Sequence, residues 1–95
     1  MNNFEQELEK NFIGMLEKDT YKNLEEYLDK LFVNIRHLEK LLLMEYRSYI
    51  NLLEGPQMEK TKQQKEVIEN YEKKLIFFID RENKVEEALE RRKNK

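Results

Sequence analysis

The chain has 95 residues, 39% hydrophobic and 40% charged, with 18 basic and 20 acidic side chains and a net charge of −2. That make-up describes one small domain, spanning 1–95, which buries roughly 60–65% of its chain surface. Two glycines and one proline exclude a multi-turn β architecture, near-cancelling charge argues against a nucleic-acid surface, and the lack of cysteine removes disulfides and thiolate metal sites.

The first residues lack the basic start and continuous apolar core of a secretory signal. The longest apolar runs, at 41–44 and 75–79, fall far short of the roughly 20 residues a membrane span needs. The expected location is cytoplasmic.

The first helix is predicted over about residues 4–18, with Asn3 as its cap and Gln6 placed to reach back. Phe4, Leu8, Phe12, Met15 and Leu16 fall on one face, and Gly14 weakens the helix by about 1 kcal/mol against alanine. Alone it is marginal and must dock on something. Asp19 and Thr20 then supply a turn and a new cap.

The second helix is predicted over about residues 21–54. Leu24, Leu28, Leu31, Ile35, Leu38 and Leu42 repeat with the 4-3-4-3-4 spacing of a coiled coil. Tyr46, Tyr49 and Leu53 extend this line after two successive steps of four, which read as a stutter. The alternative is an unbroken seam in which Glu45 occupies an apolar position.

Gly55 and Pro56 punctuate the chain between two long helical stretches, as expected of a tight helix–helix turn. The third helix is predicted over about residues 56–92, with Ile68, Tyr71, Leu75, Phe78, Val85 and Leu89 on its seam and Glu82 among them. Folding at Gly55 sets Leu42 near Ile68, Leu38 near Tyr71, Ile35 near Leu75, Leu31 near Phe78 and Leu24 near Val85. The fold class is therefore all-α: a long antiparallel two-helix hairpin, coiled-coil-like, with a short N-terminal helix packed at its open end. That helix is expected to lie against the second, with Phe12 near Tyr27, Leu8 near Leu31 and Phe4 near Ile35.

A helix of that length stops before Leu41. Towards the turn the second helix carries Leu41, Leu43, Met44, Tyr46, Tyr49, Ile50, Leu52 and Leu53, while the facing arm is polar except for Met58. An apolar, tyrosine-bearing strip with too few internal partners is a candidate interface. The candidate partner-binding residues are Leu41, Met44, Tyr46, Tyr49, Ile50, Leu53 and Met58, and the occupant is either another protein or a second copy of the chain.

No catalytic, cofactor or metal residues are assigned. His37 is the only histidine and Asn34 precedes it by three, so the Glu-x-x-His pair of a di-iron bundle is missing. No glycine-rich phosphate loop exists, and nucleophile, base and orienting partner do not occur as a set, so the chain reads as no enzyme. Arg91, Arg92 and Lys93 read as favourable charge at a helix C-terminus.

The stretch 38–45, then Leu52, Leu53, Glu54 and Gly55, then residues 65–81, resembles the FlgN/FliT-type flagellar export chaperones. That resemblance implies a cytoplasmic helical protein that binds one segment of an export substrate and delivers it to the secretion machinery. The length and helix–turn–helix plan also resemble the secreted WXG-type hairpins, although no tryptophan stands at the turn. The leading expectation is a non-enzymatic protein-binding module of the export-chaperone kind, with a homodimeric structural protein or a phage-encoded inhibitor of a host protein as alternatives.

Overall fold

The structure, a computed structural model, describes residues 3–55 and 58–94. Three helices account for it: α1 (Asn3–Lys18), α2 (Tyr21–Leu53) and α3 (Met58–Lys93). α2 and α3 pack side by side as an antiparallel hairpin, and α1 lies at its open end, in a molecule 59 × 28 × 16 Å across. The all-α hairpin predicted from the spacing is the observed fold.

The helix boundaries follow local chemistry. Thr20 has extended backbone, and its hydroxyl accepts from the Asn23 amide at 3.1 Å, so it caps α2 as expected. Asp19 adds two bonds, accepting from the Thr20 amide at 2.9 Å and from the Asn23 side chain at 2.8 Å. Asn3 is already helical, so it does not stand outside α1 as a cap. At the other end of α2, Glu54 is the cap residue. Gly55 donates to the Leu52 carbonyl at 3.2 Å without a positive φ, so its freedom from a Cβ is not used there. The expected helical start at Pro56 lies outside the described residues.

The core sits at the open end. Phe12 and Leu16 of α1, Leu24 and Leu31 of α2, and Val85, Ala88 and Leu89 of α3 form one buried cluster. Leu24 and Val85, predicted to meet, are both 0% exposed. From there a two-helix seam of Ile35, Leu38, Leu42 and Ile68 continues towards the turn. The seam then keeps its heptad through Glu45, Tyr49 and Leu52, all half-buried, while Tyr46 and Leu53 are exposed. The stutter is therefore absent. Gln64 of α3 explains how an acid sits in the seam: its amide donates to the Glu45 carbonyl at 3.0 Å and also to the Glu45 carboxylate.

α1 leans further onto α3 than the spacing predicted. The Phe12 and Tyr27 rings do meet, at 6.2 Å between centroids. Leu8 and Phe4 do not reach Leu31 and Ile35 as expected; both remain exposed, and Leu8 borders a hollow with Phe77 and Arg81 of α3. The physical reason is Arg81. Its guanidinium lies 3.9 Å from the Phe12 ring centre and 4.6 Å from that of Phe77, and pairs with Glu9 at 3.1 Å. Lys84 joins the same carboxylate at 3.4 Å. Arg92 completes the joint, donating to the Leu16 carbonyl at 2.8 Å and to the Asp19 carbonyl. It serves the Leu16 carbonyl in the last turn of α1, where carbonyls lack a partner within their own helix, and the Asp19 carbonyl just beyond.

Candidate protein-binding face

Side chains on a helix advance by about 100° per residue, so residues three and four apart share a face. Applied to α2, that rule sorts the candidate strip into three directions. Tyr49 turns into the seam and is half-buried. Leu41 and Met44 lie on one flank of the seam, with Leu41 half-buried and Met44 exposed. Tyr46, Ile50 and Leu53 lie on the other flank, joined there by Leu43, which the candidate set omitted.

These four residues follow each other at 3-4-3 spacing, the step of a coiled-coil seam. Yet they are open: Leu43 is 58%, Tyr46 38%, Ile50 56% and Leu53 58% exposed. Met58, 86% exposed, extends the patch onto α3. There Leu52, Leu53, Gly55, Met58, Lys62 and Lys65 border a hollow of about 350 Å3. The hollow shows that the Leu53 flank of α2 and the Met58, Lys62 and Lys65 flank of α3 open on the same side of the hairpin.

α1 occupies the opposite side. Its contacts on α3 run through Phe77, Arg81, Lys84, Ala88 and Arg92, about half a turn round the helix from Met58, Lys65 and Ile76. The hairpin therefore has one face covered by α1 at its open end and one face that α1 leaves uncovered along its length. On the uncovered face Phe32 is exposed with Arg36 stacked over its ring at 4.5 Å, and Ile76 and Ile79 are exposed beside it on α3.

The electrostatics of the two faces also differ. On the α1 side, Lys84 bridges Asp80 at 3.1 Å and Glu9, and the Asp80 bond raises its pKa above the ordinary lysine value. Asp19 is held below the ordinary aspartate value, chiefly by the Asn23 side chain and then by the Thr20 amide. Among the described residues Lys62, Lys65, Glu69 and Glu72 on the uncovered face take part in no ion pair within the chain. His37 is exposed, and no group of three or more His, Asp or Glu among the described residues is placed to hold a metal ion. No described helix is long and apolar enough to cross a membrane.

The spacing rule contained the signal for Leu43, since it stands three before Tyr46 and seven before Ile50. Glu45 at the true seam position makes Tyr46 and Leu53 look like seam residues and hides that line. No protein-family model, curated protein or solved structure matches the chain.

Proposed function

We propose that this chain is a non-enzymatic protein-binding module that docks a helical partner on the uncovered face of its hairpin. One observation carries the proposal: Leu43, Tyr46, Ile50 and Leu53 form a second coiled-coil line on α2, exposed although the hairpin's own seam is already filled. A line with that step is what an amphipathic helix packs against when it lies in a groove. Holding an amphipathic segment of an export substrate, as the chaperone resemblance implies, is one form of this activity. α1 supports it from behind, closing the core at the open end while leaving the binding face free.

Site-directed photocrosslinking in the cells that make the chain tests this. A benzophenone side chain at Ile50 is expected to give a discrete protein adduct that Leu53→Glu abolishes. The same group at Lys10, exposed on α1, is the control. Equal labelling from both positions, or none from Ile50, overturns the proposal.

A further inference from the structure

Resting on that reading, and naming its partner, we infer that the uncovered face is occupied by a second copy of this chain, packed antiparallel. The pattern that points there is on α3. Met58, Lys62, Lys65, Glu69, Glu72 and Ile76 follow at 4-3-4-3-4 spacing along one face. In order they are apolar, basic, basic, acidic, acidic and apolar. Turned end for end, this series complements itself. Met58 of one copy meets Ile76 of the other, Lys62 meets Glu72, and Lys65 meets Glu69.

The same rotation serves α2. Its face is centred near Leu43, with Tyr46, Ile50 and Leu53 at steps of 3-4-3 on one side and Glu39, Arg36 and Phe32 at steps of 4-3-4 on the other, so each pair meets to within one residue. Leu43 meets Leu43 of the second copy on the two-fold axis. Glu39 meets Tyr46, whose phenol donates to the carboxylate. Arg36, already laid over Phe32 at 4.5 Å, gives Ile50 a flat surface, and Phe32 meets Leu53.

The two centres coincide in height. The α3 series is centred between Lys65 and Glu69, the α2 series on Leu43. The Gln64–Glu45 bond at 3.0 Å sets that stretch of α3 beside that stretch of α2. One axis, lying in the face and perpendicular to the helices, therefore satisfies both helices at once. A foreign helix would need to match only one of the two series. A second copy supplies both, and brings partners to four charges that have none within the chain among the described residues.

The size is adequate. The shared stretch 32–53 is about 33 Å long and two helices are about 20 Å wide, a footprint of roughly 650 Å2 on each copy. The total of roughly 1,300 Å2 falls within the range of specific interfaces.

Two experiments decide it. The chain has no cysteine, so an introduced thiol is the only one. In Leu43→Cys the two thiols face each other across the axis, and mild oxidation is expected to link the copies. In Ile50→Cys they stand about 21 Å apart and are expected to stay unlinked. Crosslinking at both positions would indicate a parallel pair and overturn the register; crosslinking at neither overturns the pairing. In sedimentation the wild type is expected at twice the 11.8 kDa chain mass. K62E/K65E and E69K/E72K are each expected to self-associate about tenfold more weakly or worse, and an equimolar mixture to recover the dimer. Misfolding would not be repaired by mixing. Self-association of either variant at wild-type strength overturns the assignment. A monomeric wild type that still gives an Ile50 adduct with another protein removes the second copy and leaves the protein-binding reading standing; a monomer with no adduct removes both.

Discussion

The two ends of the hairpin are built from the same helices and differ in what covers them. At the open end three helices enclose Leu24 and Val85, and the two arginines drawn in there have partners: Arg81 has Glu9 and two rings, and Arg92 has the carbonyls of Leu16 and Asp19. Near the turn two helices share a seam that includes Glu45, and Leu43, Met44, Ile50, Leu53 and Met58 stand outside it. The comparison separates two uses of apolar surface. At the open end it is buried and supplies stability; near the turn much of it stays exposed, where the proposed partner would dock.

The largest effect should come from removing volume at the covered end. Leu24→Ala, at a site with no exposure, is expected to lower unfolding free energy by about 3 kcal/mol in denaturant titrations. The same cut at Leu53 is expected to change monomer unfolding by less than about 0.5 kcal/mol. Similar costs at both sites would erase the distinction between the ends. Next is Arg81→Ala, which removes a buried cation from between Phe12 and Phe77 and leaves Glu9 with Lys84 alone; a loss of about 2 kcal/mol is expected, with weakened protection of α1 amides in hydrogen exchange. Protection unchanged in α1 would mean that Arg81 does not hold it.

Gly14→Ala should act in the other direction. An added methyl there meets nothing within 4 Å, so the melting temperature is expected to rise by the equivalent of about 0.5–1 kcal/mol. A fall would show that the outer side of α1 is packed. The smallest effect concerns pH. The Asp19 carboxyl is lowered in the folded chain, chiefly by Asn23, so it stabilises above the ordinary aspartate value of about 3.9 and that stabilisation is lost as pH falls through the lowered folded value. The gap in melting temperature between wild type and Asp19→Ala should therefore hold near neutrality and shrink in acid. A gap independent of pH would remove the carboxylate from the joint between α1 and α2.

The hairpin and its open-end core were legible because a 3.5-residue period has one meaning: residues at that step share a face, and a face of leucines is buried. The cap at Thr20 was legible because a hydroxyl before a helix bonds its first free amides. Arg81 was not, because a basic residue in a highly charged helix looks like solvated surface. Its burial depends on Glu9 and Phe12, supplied from far along the chain. The only trace in the sequence is that Phe77, Arg81 and Ala88 share one flank of α3. Arg92 looks in the sequence like a complement to the dipole of its own helix, whereas it serves the end of another. The exposed apolar strip was legible as an excess of apolar residues near the turn. Its direction was not, because the true seam contains Glu45, and an acid at a seam position makes the neighbouring Tyr46 look like the continuation. Only Gln64, bonded to Glu45 from the facing helix, resolves which line is inside.

The joint made by Arg92 has a bearing on the order in which the molecule assembles. Its bond to Leu16 spans 76 residues, whereas the Gln64–Glu45 bond near the turn spans 19. The contacts easiest to form by loop closure are thus the ones that return least, and the most rewarding close last. A hairpin that zips from its turn gains little until residues 85–92 arrive beside Leu16 and Leu24. Partly zipped chains should therefore be sparsely populated, and folding should appear as a single step that ends with α1 clasped at the far end.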